Sequence, residues 1–253
     1  MLSYFIRVVK RLLRHLGYEL RPIPDDPSLL TIKDKHYYTQ WTMPYRLFTP
    51  WEGHPDFQKF YEGVARHTIV PPDHCYYLIS FGRYAVHLQG DFAECGVYRG
   101  GTALLLCRVL GDAHKRLFLF DSFQGLPARH PEKDKSFWGE GMFHDTSLEL
   151  VHGVLKDFRH LVDIRKGWIP NTFVGLDHNR YAFVHVDVDL YQSCFDCCEY
   201  FYPRLVAGGV MLFDEYGFPS ARGEKDAVDD FFRDKRDSPI TLPTGQAIVV
   251  KAP

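Results

Sequence analysis

The chain has 253 residues, 45% of them hydrophobic and 15% aromatic, which suits one α/β domain with a large core and an N-terminal extension. A formal net charge of -2 argues against a nucleic-acid-binding surface built on bulk charge. The six cysteines (Cys75, Cys95, Cys107, Cys194, Cys197 and Cys198) make no disulfide framework at this size and point to a reducing, cytoplasmic compartment. No run is long and apolar enough to span a membrane, and the basic N-terminus lacks the apolar stretch and cleavage site of a signal peptide.

Residues 1–21 pattern as a basic amphipathic helix. Leu2, Phe5, Val9, Leu12, Leu13 and Leu16 share one face, with Arg7, Lys10, Arg11 and Arg14 on others. Such a helix packs on its own domain or another subunit, giving a homo-oligomer, or lies on an anionic membrane surface. Pro22, Pro24 and Pro27 end it and open a linker. Residues 28–60 are aromatic and irregular, the composition of a lid or a packing arm. Helices are expected over 57–68 and 73–88.

From there strands and helices alternate. Strands are expected at 91–95, 116–121, 161–166, 181–187 and 209–214. Helices are expected at 101–111, 146–158, from Pro170, at 192–204 and at 223–235. This alternation predicts a doubly wound, mainly parallel sheet covered on both faces. The end differs: Ile240–Leu242 and Ala247–Val250 flank Pro243-Thr244-Gly245, too close for anything but an antiparallel hairpin. A parallel sheet closed by one reversed strand is the mark of a Rossmann-like methyltransferase fold rather than of a nicotinamide dehydrogenase.

The stretch Asp91–Gly101 reads as strand, glycine turn and helix start. Gly96, Gly100 and Gly101 would let backbone approach a ligand, and the helix N-terminus offers free N–H groups. Asp121 ends the next strand at the spacing where an acid meets ribose hydroxyls. Acids also end later strands: Asp187 and Asp189, then Asp214 and Glu215. In open α/β sheets ligands lie at these carboxyl ends. The converging oxygen donors Asp187, Asp214 and Glu215 suggest a divalent cation, Mg²⁺ before Mn²⁺ or Ca²⁺. Cys194, Cys197 and Cys198 read as thiols packed on a buried helix, and His185 as a core histidine. His144, Trp138 and Glu140 are weaker candidates for substrate contact. Arg99 is placed to meet a cofactor carboxylate or a neighbouring acid, beside Tyr98 and Thr102 at the turn.

Four blocks in order carry a resemblance: Glu94–Gly101, Asp121–Pro127, His185–Ser193, and Tyr202–Leu205 with Gly208-Gly209. Together they resemble the macrocin O-methyltransferase (TylF) family over roughly residues 60–251. The resemblance implies a class I methyltransferase fold, S-adenosylmethionine as donor, and Mg²⁺-dependent transfer to a hydroxyl of a sugar or secondary metabolite. Glu94 and Gly96 would line the methionine end. Asp121 would hold the ribose, Ser122 and Phe123 would lie beside the adenosine, and Gly167-Trp168 near adenine. Asp187 would be metal ligand and general base, with Asp214 and Glu215 completing the metal site. The family usually shows two aspartates where this chain has Asp214-Glu215.

The domain plan that follows is an N-terminal helix and linker (1–27), a helical lid segment (28–88) and the donor-binding methyltransferase domain (89–253). The rival functions are a nicotinamide-dependent oxidoreductase using the same turn and Asp121, and a non-catalytic module that kept the fold.

Overall fold

The structure, a computed structural model, describes Val9, residues 49–134 and residues 139–253. The expected N-terminal helix, the linker after it, most of the aromatic 28–60 segment and Trp138 lie outside the described residues.

Helix α1 (Pro55–Tyr61) begins with its N-cap, His54, whose side chain accepts the Phe57 N–H. A 3-10 turn follows at Val64–Arg66 rather than a continuation of the helix, because Gly63 takes a left-handed φ of 75°. Helix α2 (Pro72–Ala85) has proline in its first turn, where the missing N–H costs nothing. It buries His74, Leu78, Gly82 and Ala85 along one stripe, with Cys75 and Ile79 beside them.

The sheet then builds as β1 (Asp91–Cys95), α3 (Gly101–Leu110), β2 (Leu117–Asp121), α4 (Leu148–Val154), β3 (Val162–Lys166), β4 (Tyr181–Val186), α5 (Tyr191–Phe201), β5 (Leu205–Phe213), α6 (Arg222–Phe232), β6 (Ile240–Thr241) and β7 (Ala247–Val250). Its order is β3-β2-β1-β4-β5-β7-β6. Neighbours from β3 to β5 pair in parallel, and β7 runs antiparallel to both β5 and β6. The doubly wound, mainly parallel sheet with one reversed strand is therefore as expected.

Strand residues alternate between two cores. Phe92, Leu117 and Leu119 join α2 and α3 on one face. Ala93, Cys95, Phe118 and Phe120 join α5 and α6 on the other. Each fully buried Phe or Leu is worth about 1.5–3 kcal/mol of transfer free energy. All six cysteines are free and buried, those of α5 packed in the second core. Helix α3 is buried nearly all round, Gly101 to Cys107, and so reads as apolar on every side.

Besides the helix expected over 57–68, and the one at 192–204, which ends at Phe201 in a 3-10 turn, two further elements differ from expectation. The segment after Pro170 is only a 3-10 turn, Asn171–Phe173, in a loop with Gly175 at φ 85°. The helix expected over 146–158 ends at Val154 and tightens into a 3-10 turn at Lys156–Phe158. Both are C-terminal shortenings next to left-handed or 3-10 geometry, which hydrophobic periodicity does not report.

Candidate active site at the carboxyl ends of the strands

A cavity of about 240 Å³ opens at the carboxyl ends of β1, β2 and β4. One side carries Gly96, Val97, Tyr98 and Thr102, and another Asp121, Ser122, Gly167 and Trp168. Asp187, Asp189 and Glu215 bring carboxylates to it, while Thr68, Ile69, Val70 and Pro71 form a wall from the entry to α2. Of the candidates named from sequence, these placements bring Gly96, Tyr98, Thr102, Asp121, Ser122, Gly167, Trp168, Asp187 and Glu215 to one cavity. Phe123 packs in the core beside it, 7% exposed. Glu94 and Asp214 lie behind the surface, 0% and 1% exposed. Arg99 does not line the cavity: its guanidinium bonds the Asp145 carboxylate, and Nε donates to the Asp145 carbonyl at 3.0 Å.

The glycines serve chain-on-chain contact here. A Cβ on Gly96, whose φ is 85°, would stand 1.8 Å from the Asp187 carbonyl oxygen. A Cβ on Gly101 would stand 2.6 Å from Thr68 Cβ and 2.7 Å from the His67 carbonyl oxygen, which accepts the Gly101 N–H at 3.0 Å. The glycine turn is thus pressed between β4 and the segment leading to α2. That contact, rather than the ligand, is what excludes a side chain at these two positions.

Asp121 ends β2 and clamps the same turn. Its Oδ2 accepts the N–H of Val97 at 2.7 Å and of Tyr98 at 3.0 Å, and its Oδ1 accepts the Phe123 N–H at 2.6 Å. A carboxylate offers about four acceptor sites. Three are taken, and the half-buried group keeps one directed acceptor for a ligand hydroxyl.

The acid rim has an unequal charge distribution. Asp214 accepts from Gln246 Nε2 at 2.7 Å on Oδ1. His185 Nε2 lies 3.4 Å from the same oxygen and His74 Nδ1 2.8 Å from Oδ2. The other nitrogen of His185 lies 2.9 Å from Glu94 Oε1, and that of His74 lies 3.2 Å from the Thr244 carbonyl. The Asp214 oxygens and the Thr244 carbonyl accept, so His74 donates from both nitrogens and is cationic, while His185 Nδ1 meets Glu94, whose pKa burial raises. Burial opposes that charge, but bonds to Asp214 and, for His185, to Glu94 outweigh it and raise both pKa values. Burial also works to raise Asp214, yet the bonds from His185 and His74 hold its carboxyl below the usual range.

Among the described residues, no such partner is seen for the acids that face the cavity. Burial, then the charge of Asp214, push Asp187 well above the usual carboxylate range. Burial with the charge of Glu215 raises Asp189 to about 7, and burial with the charge of Asp214 raises Glu215 to about 7. Glu215 is held from behind: its N–H donates to Glu224 Oε1 at 2.8 Å. Among the described residues, His185, Asp187 and Asp214 bring donor atoms within 4.8 Å of one another. Glu215, named from sequence as the third oxygen ligand, lines the same cavity but is not one of these three.

The loop after β2 closes the side near α5. Asp134, 6% exposed, accepts the Tyr191 N–H at 2.8 Å and caps α5, whose own N-cap, Leu190, supplies no side chain. His144 binds the Gly141 carbonyl at 2.7 Å within the loop.

Sequence reading singled out neither His74 nor Gln246, which lie 140 and 32 residues from Asp214. The part played by His185 was open to it: β1 and β4 pair Glu94 with His185 in register, an acid opposite a histidine in two apolar strands.

The family described as Macrocin-O-methyltransferase (TylF) matches residues 84–245. Among curated proteins, the 8-demethyl-8-(2,3-dimethoxy-alpha-L-rhamnosyl)-tetracenomycin-C 4'-O-methyltransferase of Streptomyces olivaceus is 31% identical over 155 residues, 57% of this chain and 58% of that protein. The Mycinamicin III 3''-O-methyltransferase of Micromonospora griseorubida is 32% identical over 151 residues, 53% and 58% of the two chains. The match thus spans under three-fifths of either relative's length. The solved structure of the O-methyltransferase NovP superposes with a TM-score of 0.63 at 23% identity, covering 74% of this chain and 83% of that one. CalS11, a calicheamicin methyltransferase, gives 0.61 at 18%, covering 78% and 93%. At these identities the structures speak for the fold, which is that of class I methyltransferases. The matched span holds Glu94, Asp121, Asp187 and the acids after β5, and the chain belongs to the TylF macrocin-O-methyltransferase family.

Proposed function

We propose that the protein is an S-adenosylmethionine-dependent O-methyltransferase acting on a hydroxyl of a glycosylated or similarly hydroxylated small molecule. The observation that carries this reading is one cavity holding both the glycine turn clamped by Asp121 and the acid Asp187. The two curated relatives are, by their names, O-methyltransferases of a rhamnosyl tetracenomycin and of mycinamicin III.

The cavity suits the donor. Asp121 offers its remaining acceptor site to the ribose, and Trp168, 38% exposed, gives adenine an aromatic face. Bound there, the donor supplies a methyl group on a sulfonium, already activated for displacement. What is left to the chain is to position the acceptor oxygen and take its proton. Asp187 is the base in this reading, since its carboxyl group faces the cavity that holds the donor turn. Asp187, Glu215 and the last acceptor site of Asp214 would hold a divalent cation, which when bound lowers the pKa of a coordinated hydroxyl. Burial and the neighbouring charge of Asp214 disfavour two ionised carboxylates at Asp187 and Glu215, which a cation there would offset.

The test is transfer of a trideuteromethyl group from labelled S-adenosylmethionine to a panel of rhamnosides, macrolide glycosides and phenols, read by mass spectrometry. Labelled product that disappears with EDTA and returns with Mg²⁺ is expected. Labelled product indifferent to EDTA would remove the cation from the account. No product from any hydroxylated acceptor would leave a donor-binding module only.

A further inference from the structure

The N-terminal end of helix α2 meets both the cavity and the buried charge network. Its entry, Thr68–Pro71, is a wall of the cavity, and the His67 carbonyl is fastened to the Gly101 N–H. His74, the third residue of the helix, turns inward and is 1% exposed. Its ring is 2.8 Å from Asp214 Oδ2 and 3.2 Å from the Thr244 carbonyl in the β6–β7 turn, with the Phe218 ring centroid 5.6 Å away. Gln246 Nε2 joins the same group from β7's approach, 2.7 Å from Asp214 Oδ1 and 3.5 Å from the His74 carbonyl. The Thr244 hydroxyl holds the Gln246 amide at 3.0 Å. One imidazole therefore ties together α2, the end of β5 and the terminal hairpin. His74 also lies ahead of the span matched by the family description, 84–245.

We propose that His74 is a positioning residue for methyl transfer. By fastening Asp214 and the β6–β7 turn to α2, it sets the distance between the Thr68–Pro71 wall and the acids Asp187 and Glu215. Asp214 does not line the cavity but sits behind those two acids, so its bond to His74 transmits the position of the helix to the rim. The proposal rests on the cavity being the methyl-donor site, and its test keeps the two apart.

The test is hydrogen–deuterium exchange by mass spectrometry on the full chain, with and without S-adenosylhomocysteine, alongside calorimetric titration of that ligand. The variants are His74→Ala, His74→Asn and the control Val228→Ala, which opens the core under α6 on the far face of the sheet. Losing a hydrogen bond to a charged partner predicts roughly tenfold faster exchange in both 68–78 and 240–250 for His74→Ala, and roughly tenfold weaker ligand binding. His74→Asn keeps a donor near the Nδ1 position and should recover most of the affinity. Val228→Ala should lower Tm yet leave both segments and the affinity unchanged. Should His74→Ala not fold, Gln246→Ala removes the second donor to Asp214 and carries the same expectation. Wild-type exchange in both segments of the variant, or no recovery by asparagine, would overturn the proposal. If the wild type itself binds no S-adenosylhomocysteine, the donor-site reading fails, while the exchange comparison still decides the role of His74.

Discussion

Glu94 and His185 stand opposite one another in neighbouring strands, both fully buried, and neither would be tolerated alone. The pair is the residue-scale reason the acids of this site are not equivalent. Glu94 and Asp214 are neutralised from within by His185 and His74, whereas Asp187, Asp189 and Glu215 face the cavity as crowded acids. Two expectations follow. His185→Ala should destabilise the protein by about 3–5 kcal/mol in urea unfolding, since it leaves buried Glu94 without its partner and takes one of three donors from Asp214; a loss under 1 kcal/mol would mean the network is not charged as drawn. Asp187→Asn should cut kcat by about 10²- to 10⁴-fold, the range of a lost general base, while S-adenosylhomocysteine still binds. Near-normal turnover would remove Asp187 as the base. The acids at the strand ends were legible in the sequence because strand ends are where open α/β sheets place chemistry. His74 was not, because its meaning depends on partners reached from a preceding helix, and His185 was read as a core histidine without its charged neighbours.

At the scale of elements, the glycine turn is an assembly joint as much as a ligand cradle. Gly96 and Gly101 admit the Asp187 carbonyl and the His67 carbonyl with Thr68 Cβ, and Asp121 caps the turn through the Val97 and Tyr98 N–H groups. Gly96→Ala and Gly101→Ala should each destabilise by at least about 1–3 kcal/mol, the cost of overpacking, because backbone rather than a flexible side chain meets the added methyl. Thermal melts would check this, and an unchanged Tm for Gly96→Ala would contradict the close approach. The spacing of Gly96 and Asp121 was readable from sequence, as was the reversed strand β7. The short turn after Pro170 was not: a lone proline and a few apolar residues pattern like a helix start, and only the loop geometry around Gly175 shows otherwise.

For the whole molecule, the buried charges make stability depend on pH in a definite direction. Glu215 and Asp189, raised to about 7, hold protons in the folded state that the unfolded chain has already released, so folding weakens as pH rises from about 4.5 through 7. His74 and His185, also raised, add stability that is present below pH 6.5 and lost as pH climbs through their folded values. Asp214, lowered, acts at the acid end, its contribution lost as pH falls below the ordinary carboxylate range. The ligand-free protein should thus melt several degrees lower at pH 8.5 than at pH 6, and Mg²⁺ should raise the melt more at the higher pH. A melt that rises steadily to pH 8.5 would reverse the assigned shifts. The central claim is that the cavity between Asp121 and Asp187 is the methyl-donor site, and a crystal structure with S-adenosylhomocysteine tests it most directly. The ribose is expected on Asp121, the adenine against Trp168 and the sulfur turned toward Asp187. A ligand bound elsewhere, or a cavity left empty at saturating ligand, would contradict it.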